Sequence, residues 1–98
     1  MDVHWTETAM VHLDSIYAYI AADSERYALR TVDRITRRSM QIAEQPCSWR
    51  MVPEISLEKI REVIEGPYRI LYQIKQDQID IIAVFHGARR FPWSEVFG

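Results

Sequence analysis

The chain has 98 residues, 48% of them hydrophobic and 27% charged, which allows one packed domain and excludes a disordered polymer. Twelve Lys and Arg stand against fourteen Asp and Glu, for a net charge of -2. The whole chain therefore has no pull towards nucleic acid or anionic membrane, and any such contact must use a local patch. Cys47 is the single cysteine. It can form no internal disulfide and lacks the companions of a zinc site, which fits a reducing cytoplasm and predicts neither metal nor cofactor. The opening MDVHWTET has no basic and no apolar leader region. No apolar run approaches the ~18 residues of a membrane span, so a cytoplasmic protein without a membrane partner is expected.

In chain order, Asp2–Trp5 alternates and reads as a first strand. Thr6 offers an N-cap, and Ala9, Leu13, Ile16, Tyr17 and Ile20 follow at helical spacing. This predicts a helix over 7–22, with His12, Asp14 and Ala18 off the apolar stripe. Ser24 caps a second helix, whose buried face is Ala28, Val32, Ile35, Ser39 and Ile42. It should run to about Glu44, because Pro46 cannot continue it. Helices of this length on so short a link form an antiparallel hairpin.

Arg26, Arg30, Arg34, Arg37 and Arg38 share one side of the second helix, in a sector about 120° wide. Asp33 is the only acid inside that run. The stripe is either a solvated face or a footprint for an acidic partner.

Residues 46–53 read as a loop or short extended link, with Trp49 and Val52 closing the open end of the core. Ile60–Glu65 alternates without one clean apolar face. Gly66-Pro67 is a turn, and Tyr68–Lys75 places Tyr68, Ile70, Tyr72 and Ile74 on one side. Gln76-Asp77 turns again. Gln78–His86 is almost continuously apolar, as in a central strand or one covered on both faces. The result is an α+β domain of order β-α-α-β-β-β, with the helical hairpin packed on a small, mainly antiparallel sheet. The meander would present Arg61, Arg69, His86, Arg89 and Arg90 together. Residues 91–98 are either a cap on the sheet or a frayed tail, and Pro92 argues against a further central strand.

Three segments carry a family resemblance: WTETAMVHLDSIYAYIAADS, IREVIEGPYRILYQI and VFHGARR. In their order and spacing they resemble ParE-type toxins of the RelE/ParE superfamily of bacterial toxin–antitoxin systems, often called plasmid stabilization proteins. The resemblance spans about Val3 to Arg90 and implies the same helical hairpin on a sheet. It also implies a cognate antitoxin whose C-terminal segment, disordered alone, wraps the toxin. ParE-type members poison DNA gyrase, whereas RelE-type members cut messenger RNA on the ribosome.

For the nuclease alternative, Arg69 within YRI matches a functional arginine of RelE-like toxins. His86 matches a histidine of some nuclease relatives, and Arg89 would clamp a phosphate. The nucleases usually add lysines before the YR strand, or a C-terminal Tyr or His. Here Lys59 alone precedes that strand, and neither Tyr nor His follows His86. The gyrase reading is therefore preferred, and no catalytic residue is assigned. Arg61, Arg69, His86, Arg89 and Arg90, with Arg30, Arg34 and Arg37, become candidates for target or antitoxin contact. No sequence-specific nucleic-acid binding is expected. An inactive, toxin-like interaction module is the third reading.

Overall fold

In a computed structural model, which describes residues 1–97, the chain begins with β1 (Asp2–Trp5). Thr6 then does two jobs. Its hydroxyl oxygen accepts from Ala9 N–H at 3.2 Å, which caps α1 (Glu7–Ala21), and its hydroxyl donates to the Ile81 carbonyl at 2.8 Å. One side chain thus sets both the start of the helix and its position against the sheet. Ser24 caps α2 (Glu25–Ile42) by accepting from Tyr27 N–H at 3.1 Å. That helix stops at Ile42, two residues before the sequence expectation.

The remaining strands are β2 (Arg50–Met51), β3 (Ile60–Glu65), β4 (Tyr68–Ile74) and β5 (Gln78–His86), followed by a short helix α3 (Trp93–Phe97). They form a five-stranded sheet in the order β1-β5-β4-β3-β2. β1 runs parallel to β5, from Asp2 against Gln78 to Trp5 against Ile81, and the other pairings are antiparallel. The segment read as a link contributes β2, pairing Arg50 with Glu62 and Met51 with Arg61. Gly66, at φ +57°, takes the first turn position between β3 and β4, and Pro67 the second, which matches the twist of a two-residue hairpin.

β5 contains a bulge. Leu71 pairs with Ala83 but Tyr72 pairs with Ile81, so Ile82 is the extra residue. Ile79 and Ile81 face the helices before the bulge and Val84 after it, while Ala83 and Phe85 face the other way. A bulged strand with both faces covered explains the unbroken apolar run.

The helix-side core joins Ala9, Ile35 and Ile42 to Val63, Ile70, Tyr72, Ile79, Ile81 and Val84. The far side is covered too. Val52, Ile60, Leu71, Ala83 and Phe85 form a second cluster, with Ile55, Phe91 and Val96 packed on it. Residues 91–97 therefore cap the sheet, and the meander has no open face there. Among the described residues, no helix is long and apolar enough to cross a membrane.

Candidate functional site

Arg69 lies on the far face, at the centre of a charged cluster. Its Nε donates to Glu62 Oε1 at 2.6 Å, and its two terminal nitrogens bind both oxygens of Glu54 at 2.8 and 2.7 Å. Glu62 is fully buried and receives Arg50 at 2.7 Å on its other oxygen. The Arg69 guanidinium sits 5.3 Å from the Phe85 ring centre and 5.6 Å from that of Phe91, so the C-terminal cap roofs it. The hydrogen bonds from Arg69 hold the Glu54 carboxyl below its ordinary range, and the same bonds push Arg69 further up. This is a closed clamp rather than an open cation.

Arg61, a candidate for target or antitoxin contact, donates to three backbone carbonyls, those of Glu58, Cys47 and Trp49, at 2.9 to 3.0 Å. It ties the loop after α2 to β3. Tyr72, buried nearby, donates to the Pro46 carbonyl, and burial pushes its phenol well up.

His86 is on the opposite face from Arg69. It packs edge-on against Tyr68, with ring centres 5.7 Å apart, and its Nδ1 accepts from Ala88 N–H at 3.0 Å. Arg89 pairs with Glu95, and Arg90 is exposed. The expected cluster of Arg61, Arg69, His86, Arg89 and Arg90 thus does not form. Arg69 turns to the far face, Arg61 to a loop, and the other three stand at the end of β5.

His12, which sequence reasoning misplaced, holds that end together with Glu95. His12, expected off the apolar stripe, is 5% exposed and lies under α1. Among the described residues, no strand accompanies β5 on the β1 side beyond Ile81. The Val84 N–H there is satisfied by His12 Nδ1 at 3.2 Å. His12 Nε2 then faces Glu95 Oε1 at 2.9 Å, so that nitrogen carries the proton and donates. Bonding to His12, helped by the charge of Arg89, holds the Glu95 carboxyl below its ordinary range. Both imidazole nitrogens are occupied, which leaves no free base. Beside this triad, a groove of about 850 Å³ runs between α1 and the end of the sheet, past Ile16, Tyr19, Tyr68 and His86.

The arginines of α2 separate as well. Arg26, Arg30, Arg34 and Arg37 are exposed. Arg38 turns inward, with its guanidinium 4.9 Å from the Trp49 ring centre and 3.8 Å from Glu65.

The sequence did carry a signal for the clamp. Glu62 sits between Ile60 and Ile64 on an otherwise apolar side of β3, diagonally across from Arg69 on β4. A carboxylate in that position must be paired. His12 had no comparable signal, because its partner is a backbone group freed by the ending of a strand far away in sequence.

This hairpin of helices over a mixed five-stranded sheet is the α+β fold that the sequence resemblance implied. Residues 3–91 match the family described as ParE toxin of type II toxin-antitoxin system, parDE, and the chain belongs to that family. Among solved structures it is similar to the chromosomal ParDE TA system from P. aeruginosa, with a TM-score of 0.73 and 22% identity. That match covers 88% of this chain and 95% of the other. No curated protein sequence matches the chain.

Proposed function

We propose that this toxin arrests growth by inhibiting DNA gyrase, and that a cognate antitoxin holds it inactive by wrapping its C-terminal segment around the domain. The observation that carries the choice of target is the position of Arg69. Ribonucleolytic chemistry needs cations and an acid or base converging on one phosphate. Here Arg69 and His86 lie on opposite faces of the sheet. The Arg69 donors are taken by Glu62 and Glu54, and its side chain is 12% exposed. Arg89 stands with His86 at the end of β5, away from Arg69, in an exposed pair with Glu95. His86, Arg89 and Arg90, with the rim of the groove beside α1, are the exposed groups at that end and the candidates for target contact. The activity is assigned to the one domain, without metal or cofactor.

Purified toxin should block gyrase supercoiling, with inhibition relieved by stoichiometric antitoxin, and leave ribosome-bound message intact. Codon-phased cuts at the ribosomal A site would replace the gyrase reading with the nuclease one. Normal growth under full induction of soluble toxin would show an inactive interaction module instead.

A further inference from the structure

We propose that the exposed arginine face of α2 docks on the phosphate backbone of duplex DNA, without regard to sequence. At ~100° per residue, Arg26, Arg37, Arg30, Gln41 and Arg34 fall within a sector about 80° wide. The four arginines are exposed, Arg37 with 77% of its side chain in solvent. Arg26, Arg30 and Arg34 make no ion pair among the described residues, and Arg37 has only an exposed contact with Asp33 at 3.1 Å. In a protein of net charge -2, this is a local concentration of cations on a rigid element.

Geometry matches the ligand. From Arg26 to Arg37 is about 16 Å along the helix. Duplex DNA carries roughly one charge per 1.7 Å of axis, so a phosphate is available to each guanidinium along that span. Arginine presents a planar fork that binds phosphate oxygens in pairs.

The character of the sector selects among anionic partners. It contains no apolar side chain, whereas protein partners are anchored by apolar and aromatic contacts at the interface centre. The exposed Leu29 and Met40 lie outside it. Single strands need aromatic platforms on which bases stack, and the nearest aromatic, Tyr27, stands at its border. A membrane surface would also call for apolar residues. A polar, straight row of arginines fits the outside of a duplex.

The test is fluorescence anisotropy of a labelled 20-base-pair duplex against the full toxin between 50 and 200 mM KCl. Three or four neutralised phosphates predict weak binding, in the range of about 10⁻⁴ to 10⁻⁶ M, that falls roughly 40- to 150-fold across that salt range. The variant Arg30→Glu/Arg34→Glu/Arg37→Glu should lose binding, with its melting temperature showing an intact fold. The proposal is overturned by no binding at 50 mM KCl, a salt slope near zero, or equal binding by the folded variant. It is also overturned if single strands or anionic vesicles compete better than duplex, or if the variant loses antitoxin while keeping DNA. DNA alone is the ligand measured, so a failure here leaves the gyrase reading standing, and the reverse.

Discussion

Replacing Arg69 with Ala leaves Glu62 fully buried with Arg50 as its only cation. Removing one partner of a buried ion pair costs about 3–5 kcal/mol. Arg50, still 2.7 Å away, moves the value to the lower end of that range, and Glu54, already a third exposed, rehydrates at little cost. Lost contact with Phe85 and Phe91 adds roughly 0.5–1 kcal/mol for each ring. The sum is about 4 kcal/mol, a large share of the roughly 5–15 kcal/mol expected for a domain of this size. At ~4–8 °C per kcal/mol, the midpoint of thermal unfolding should fall by about 15–30 °C. Arg69→Lys should lie between, because an ammonium cannot bridge both carboxylates in the same planar geometry. The decisive partner is the double variant Arg69→Met/Glu62→Leu, which removes the buried charge along with the cation that satisfied it. It should be more stable than Arg69→Ala by at least about 2 kcal/mol, since apolar replacements of buried pairs are often neutral. Urea unfolding of the wild type and the three variants gives the comparison. If Arg69→Ala loses less than about 1 kcal/mol, or the double variant is no better than the single one, Glu62 is not a dependent buried charge and the clamp is misread.

His12→Ala should leave the Val84 N–H unsatisfied and unpin α3, lowering stability by about 1–3 kcal/mol. Amide exchange should show the loss concentrated at Val84 and in residues 93–97, and uniform destabilisation would contradict the pinning role. Acid should weaken the fold through Glu54 and Glu95. Both carboxyls are lowered from an ordinary value of 4.5, so they stabilise the protein fully above that pH. That contribution is lost as pH falls from about 5 through their depressed folded values. Melting temperatures between pH 3 and 7 should show a steeper acid slope for the wild type than for Glu54→Gln/Glu95→Gln, and identical slopes would remove these two groups from the account.

The helical hairpin was legible because capping and apolar period act within one turn. Thr6 and Ser24 are caps in sequence and in space, and Ala28, Ile35, Ser39 and Ile42 are buried as their spacing requires. The hairpin of β3 and β4 was equally local, since Gly66-Pro67 specifies its own turn. β2 escaped notice because a two-residue strand has no period; its pairing with β3 is what makes it a strand. The cover of the far face was only half legible. Phe91 and Val96 are apolar in a segment interrupted by Pro92, and whether such a tail packs depends on the surface it meets.

By itself, the sequence determined the order of elements, their local ends and the family to which the chain belongs, because these follow from neighbours a few residues apart. Only the tertiary structure decided which cations are spent and which are free. Arg61, Arg69, Arg89 and Arg90 look alike along the chain. Bulge, register and strand ending send Arg69 into a buried clamp with Glu62 and Arg61 onto backbone carbonyls. They also set His12 under α1, where it supports Glu95 and, through it, Arg89. Charge is a property of the residue, but its availability depends on partners brought from up to 83 positions away.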